Sequence, residues 1–357
     1  MSAAEVDEQA NELWERLQRF VGLPTGPPVA ARDPVNLPMI RHWCDAMGDT
    51  NPVYTDPEAA AASVHGEIVA PPAMLQAWTM PGLAPKAGNE PPNNLQQLLE
   101  VLTGAGFSAE LATNSEVEYP RYLHLGDLLT LTAQLDDISP RKRTALGDGY
   151  FVTIGQRWHD QHGELVGAMR WRIFKFHPKA TPNEADPAPL PTGGNQSGPP
   201  AVAAGGPGVS ATLGTTRRFE ALAVGDVLGE LAIELTPTVI VSTAIATRDF
   251  HYVHHDRDLA RQHGSKDIVM NILSSTGLVE RYVTDWAGPE ALVTAINIRL
   301  GAPNHPYDTM VFSGRVAALD PSAGGGGETT VELVGRNSMG EHVTGDVRVR
   351  LRGRASR

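Results

Sequence analysis

Within Thr247-Arg248-Asp249-Phe250-His251-Tyr252-Val253-His254-His255-Asp256, a carboxylate and an imidazole, Asp249 and His254, stand five positions apart just ahead of an apolar stretch with helical spacing. An acid and a base that grip one water can take a proton from it and later deliver one. That is the proton traffic needed to add water across a double bond conjugated with a thioester, a reaction that also needs donors for the enolate oxygen. Backbone N–H groups at the start of the following helix, around Asn271 and Ile272, can supply them. The first turn of a helix leaves its amides unpaired, and its dipole favours negative charge. Other readings of the segment are open. His251, His254, His255 and Asp256 offer ligands at helical spacing, but no distant third-ligand motif accompanies them, so no metal is expected. An Asp beside a His is also an ordinary structural pair, and His251 and His255 read as local support or surface groups.

The elements that must position this pair occur twice. Cys44–Ala60 lies against Ala244–Ala260 without a gap, matching Asp49 with Asp249, Val53 with Val253, Asp56 with Asp256 and Ala60 with Ala260. The register continues from Ile68-Val69 onto Ile268-Val269. It sets Tyr54 opposite His254 and Pro71 opposite Asn271. A proline has no N–H to give. The first half therefore keeps Asp49 but lacks the histidine and an oxyanion donor, and it is expected to be inactive, with Asp49 in a packing or capping role and the half as a wall for the acyl part of a substrate. Tyr54, Met74 and Trp78 are the pocket candidates there. Core packing is the simpler reading for Met74, Trp78 and Met80, but PGLAPKAGNEPPNN after them breaks the helix early and could open the wall for a bulky group.

Further on, YPRYLHLGDLLTL (Tyr119 to Leu131) resembles APNHPYDTMVF (Ala302 to Phe312), and DQHGELVG (Asp160 to Gly167) resembles NSMGEHVTG (Asn337 to Gly345), each of the latter pair with a glycine suited to a tight hairpin. In the second half Ile268, Ile272, Val279, Tyr282, Val283 and Trp286 recur at helical spacing. Each half thus reads as short helix, polar motif, longer helix and several antiparallel strands. That order argues for α+β, with a curved antiparallel sheet wrapped round a central helix, a tandem or double hotdog. Residues 1–176 form the first unit and 217–357 the second. Residues 177–216, rich in Pro, Gly and Ala, form a linker, and Gly324–Gly327 a loop inside the second unit.

Length agrees with two domains: 357 residues, 41% hydrophobic and 20% charged. A net charge of −12 repels phosphate backbones and excludes nucleic acid as a partner. Arg348, Arg350 and Arg352 alternate along a strand and read as its solvated face. With one cysteine, Cys44, no internal disulfide is expected, and the N-terminus lacks the pattern of a secretory signal. No run of about 18 apolar residues occurs, so a cytoplasmic protein without a membrane span is expected.

The segment DTNPVYTD and its variant DFHYVHHD resemble the D-x-N-P-x-H-x-D signature of MaoC-like (R)-specific enoyl-CoA hydratases, and FEALAVGD (Phe219 to Asp226) is similar to that family's domain start. The resemblance covers nearly the whole chain outside the linker and the N-terminal extension. It implies that Asp249 and His254 are the catalytic pair and that the helix start near Asn271 makes the oxyanion contact. Departures are His251-Tyr252 in place of Asn-Pro and Asn271 in place of a frequent glycine. IVSTAIATRDFHYVHHDRD, GSKDIVMNILSSTGLVERYVTDWAGP and VGRNSMGEHVTG resemble the catalytic subunit of actinobacterial steroid enoyl-CoA hydratases, which act on a shortened three-carbon side chain. The first half resembles the MaoC-like domain of the partner subunit, which implies a fusion of two subunits. The likeness further implies no cofactor beyond the coenzyme A of the substrate, association of two fused chains, and an aldolase partner reached only through a separate chain, since the zinc-ribbon cysteines are missing.

Overall fold

The computed structural model describes residues 3–83, 91–178 and 215–353. Nearly all of the expected linker, 179–214, lies outside the described residues, as does the middle of PGLAPKAGNEPPNN, 84–90.

One sheet runs through both halves. From one edge to the other its strands are Val29–Ala30, Thr130–Ile138, Gly147–His159, Leu165–Pro178, Ala109–Glu118, Leu292–Leu300, Gly340–Leu351, Gly327–Asn337, Asp308–Pro321 and Val227–Leu235, with Lys142–Arg143 added beside Gly147–His159. Read outward from the centre, each half has the same order. The two meet where Ala109–Glu118 pairs antiparallel with Leu292–Leu300, Val117 opposite Ile296 and Ser115 opposite Ile298. All neighbouring strands are antiparallel, and the expected hairpins turn at Gly163 and Gly340. The architecture is a double hotdog. Arg348 does not face only solvent: it reaches Glu118 of the other half at 3.0 Å and Glu328 at 3.6 Å.

The helix wrapped by this sheet is Ile272–Ala287. It starts because the Asn271 side chain accepts from the Ser274 N–H, and it ends at Gly288, whose φ of 99° few other residues adopt. Ile272, Val279, Tyr282 and Val283 are buried, as their spacing predicts, and Trp286 is partly buried, but so are Ser274, Ser275 and Glu280, because the helix has protein on every side. Ile268 falls before the helix. There the chain is extended, with the Val269 N–H donating to Val253 and the Met270 N–H to Asn304. In the first half the equivalent stretch is only a 3-10 helix, Pro72–Thr79, and a separate α-helix, Asn94–Gly104, follows. With Leu17 from the first helix, that helix makes a second core against Leu135, Tyr150, Val152 and Ile173. No helix of the described residues is long and apolar enough to cross a membrane.

Candidate active site between the two halves

The repeat is also a repeat of local structure. Leu37–Met47 matches Pro237–Ala246, capped by Asn36 and Thr236; Pro52–Thr55 matches the short turn Tyr252–His254; Pro57–Ala62 matches Arg257–Gln262, capped by Asp56 and Asp256. In both halves the aspartate follows the first helix and its Oδ1 accepts from the amide two residues on, Asn51 or His251.

In the second half this frame sets His254 Nε2 3.4 Å from Asp249 Oδ2. His254 Nδ1 lies 2.6 Å from the carbonyl oxygen of Val269. A carbonyl can only accept, so Nδ1 carries the proton and, in the neutral ring, Nε2 presents its lone pair to the carboxylate. Two acceptors so placed are both satisfied by one water donating to each, the grip the chemistry calls for. Burial pushes the Asp249 carboxyl up, but a charged His254 ring, the His251 amide and the Asn271 side chain pull it down, to a net position below the ordinary carboxylate value. It is therefore an anion at neutral pH.

Asn271 does more than begin the helix. Its Nδ2 donates to Thr247 at 2.9 Å and to Asp249 Oδ2 at 3.1 Å, while its Oδ1 caps Ser274. One side chain thus ties the carboxylate to the helix start, where the amides of Ile272 and Leu273 have no carbonyl one turn back. His251 and His255 are exposed. Among the described residues no three His, Cys, Asp or Glu side chains are grouped as a metal site.

The first half's counterpart is filled. Tyr54, in register with His254, is 1% exposed and donates its hydroxyl to Glu280 Oε1 at 3.1 Å. Glu280 Oε2 accepts the Ala73 N–H at 2.6 Å. Ala73 is the register partner of Leu273, so a carboxyl group from the second half's central helix occupies the amide-bearing end of the first half's helix. Arg281 follows it in, donating to the Met47 carbonyl at 2.8 Å. Burial raises Glu280 to about 8, helped by Asp49, and raises Asp49 to about 6. The reverse intrusion cannot occur. The residues in register with Glu280 and Arg281 are Met80 and Pro81, just past the end of the 3-10 helix at Thr79. Shortening that helix leaves the second half's site free of a plugging carboxyl group.

The first-half pocket candidates are placed differently from one another. Tyr54 belongs to the plug, Met74 is fully buried, and Trp78 is 4% exposed with its indole N–H buried and unpartnered. A small hollow lies between the halves, lined by Ala73, Gln76, Leu273 and Thr276 from the two helices and by Ser115, Val117, Trp158 and Met169 from the first half's sheet, with Tyr119 just past the strand Ala109–Glu118. Met74 and Trp78 do not line it. Sequence reasoning missed Glu280, the orienting role of the Asn271 side chain, and Gln76 and Tyr119. A signal existed for Asn271, since Asn three residues before Ser274 at the head of an apolar run is an N-cap pattern.

Residues 19–169 match the profile of the FAS1-like dehydratase domain region. Over 129 residues, 36% of this chain, the sequence is 57% identical to the 3-oxo-4,17-pregnadiene-20-carboxyl-CoA hydratase beta subunit of Mycobacterium tuberculosis and covers 96% of it. Over 174 residues, 48% of this chain, it is 41% identical to the alpha subunit of the same name and organism. The chain spans about half, 55%, of that second relative's length. A solved MaoC-like dehydratase superposes with a TM-score of 0.68 at 20% identity, covering 94% of this chain and 99% of its own, which shows the fold. With a paired, half-blocked double hotdog and a relative matched over nearly its full length, the chain belongs to the family of MaoC-like and FAS1-like hydratases and dehydratases.

Proposed function

We propose that the protein is an enoyl-CoA hydratase, a hydro-lyase that adds water across the α,β double bond of a bulky enoyl-CoA, with Asp249 and His254 as its catalytic pair. The observation that carries the reading is that Asp249 Oδ2 and His254 Nε2 face each other at 3.4 Å, while the equivalent place in the first half holds Tyr54 hydrogen-bonded to Glu280. A water held by both has its oxygen free to attack the β-carbon. As that bond forms, one of its protons passes to the pair and the thioester oxygen gains charge. The amides around Asn271 and Ile272 hold that enolate, and the pair then delivers a proton to the α-carbon. Water is added as a whole, so no redox group is needed, and coenzyme A arrives as part of the substrate.

For the acyl group we propose a steroid side-chain enoyl thioester of the three-carbon, pregnene-carboxyl type. Relatives named as alpha and beta subunits of a 3-oxo-4,17-pregnadiene-20-carboxyl-CoA hydratase match 48% and 36% of the chain, which supports reading it as both subunits in one polypeptide. The same reading has two fused chains associating in the cytoplasm and an aldolase joining through a separate chain.

The test is hydration of a steroid side-chain enoyl-CoA beside a medium-chain enoyl-CoA, followed by loss of the conjugated thioester absorbance, with Asp249→Asn and His254→Ala as controls. Faster turnover of the steroid thioester, lost in both variants, is expected. Equal or faster turnover of the medium-chain substrate would move the substrate class to straight-chain acyl groups. Release of free coenzyme A would make the protein a thioesterase, and binding without turnover an acyl-CoA-binding scaffold.

A further inference from the structure

Arg248, the residue before Asp249, has φ = 58°. Its register partner Gly48 has φ = 64°, and there glycine accepts the left-handed backbone without cost. An arginine in that conformation is strained by about 1 kcal/mol or more, and such strain gathers at functional positions. The two corners also treat their guanidinium groups differently. Over Gly48 lies the Arg281 guanidinium, 2.7 Å from where a Cβ would stand, donating to Met47 and lying 3.4 Å from the Asp285 carboxylate. At the second corner the guanidinium is that of Arg248 itself, which reaches to Gly82 of the first half. Among the described residues it makes no ion pair and no side-chain hydrogen bond, and its Nε is shielded from solvent without an acceptor.

The opposite half leaves room for it. Gly82, with φ = 63°, would set a Cβ 3.0 Å from Arg248 Nη2 and 3.7 Å from the Phe250 ring. This cation therefore sits half-buried between the halves, next in the chain to Asp249.

We propose that Arg248 is an anion-binding residue that holds a phosphate of the coenzyme A carrier as the thioester enters, an assignment that rests on the hydratase reading for its ligand. A planar guanidinium that no carboxylate among the described residues pairs with is matched to phosphate oxygens, and it stands next in the chain to Asp249, where the thioester must be held.

The test is calorimetric binding of coenzyme A and of pantetheine, which lacks the phosphates, to the full chain and to Arg248→Gly and Arg248→Lys. The glycine variant copies the first half's corner and relieves the strain, so its melting temperature should equal or exceed the parent's. Its affinity for coenzyme A should fall roughly tenfold to a hundredfold, the range of a lost hydrogen bond to a charged group. Pantetheine binding should be unchanged, and the lysine variant intermediate. In turnover, KM for the CoA thioester should rise while kcat holds, and neither should move for an N-acetylcysteamine thioester. Equal weakening of coenzyme A and pantetheine, no weakening of either, a fall in kcat for both thioesters, or a parent that does not bind coenzyme A would each overturn the proposal. A parent that binds coenzyme A through Arg248 but hydrates nothing would instead overturn the hydratase reading and leave this one standing.

Discussion

Replacing Glu280 by glutamine removes a buried titrating proton while keeping the side chain's length and an acceptor for the Ala73 N–H. In the folded protein burial raises this carboxyl from 4.5 to about 8, with the negative charge of Asp49 adding to the effect. The folded state thus binds the proton more tightly than the unfolded chain. Its contribution to stability is fully present below pH 4.5, declines as pH rises, and is gone above about pH 8. At roughly 1.4 kcal/mol per pH unit, the decline across this window is about 4 to 5 kcal/mol. Glutamine, always neutral, is spared it, at the cost of about 1 kcal/mol for weaker hydrogen bonds to Tyr54 and Ala73. Urea denaturation of the parent and Glu280→Gln between pH 5 and 9 should show the two close together at pH 5. The variant should pull ahead steadily and lead by about 3 to 4 kcal/mol at pH 9. Every other titrating group is present in both proteins, so the difference curve reports Glu280 together with its coupling to Asp49. Parallel curves across the range would refute the argument that this carboxyl is held protonated between the halves.

Other outcomes follow from the same geometry. Asn271→Asp keeps the helix cap but withdraws the Nδ2 donor from Asp249 and sets a second carboxyl beside it, so the acid limb of the pH–rate profile should move to higher pH; an unmoved limb would show that Asn271 does not tune Asp249. Tyr54→His restores the missing histidine of the first half, yet in an Asp249→Asn background it should give no hydration, because Glu280 still occupies the Ala73 amide. Gly277 faces the first half so closely that a Cβ would stand 2.8 Å from Trp43 and 3.0 Å from Met47. Gly277→Val should therefore destabilise the protein by about 1 to 3 kcal/mol in chemical denaturation.

The repeat was the most legible feature, because the same side chains must make the same caps and turns in each half. Asp56 and Asp256 each cap a short helix, and the matched segments fold alike. The hairpins at Gly163 and Gly340 were legible for a similar local reason. What escaped depends on tertiary placement. A glutamate in the middle of Ile272–Ala287 reads as a solvated position, and only the other half's sheet and helices make Glu280 buried. Ile268 kept the apolar period of the helix it precedes but belongs to extended chain, since its neighbours bond to Val253 and Asn304. Arg248 was legible in principle. Aligning the halves sets it against Gly48, and an arginine where the repeat has a helix-terminating glycine marks a strained backbone.

The seam of the sheet, where Ala109–Glu118 pairs with Leu292–Leu300, has a consequence for dilution and for descent. Two separate polypeptides joined along such a seam part when their concentration falls below the dissociation constant. In one polypeptide the same pairing is unimolecular and survives any dilution. It also fixes stoichiometry at one to one. A half that has surrendered its own histidine is never made without the half that kept one, so the two sites are free to diverge.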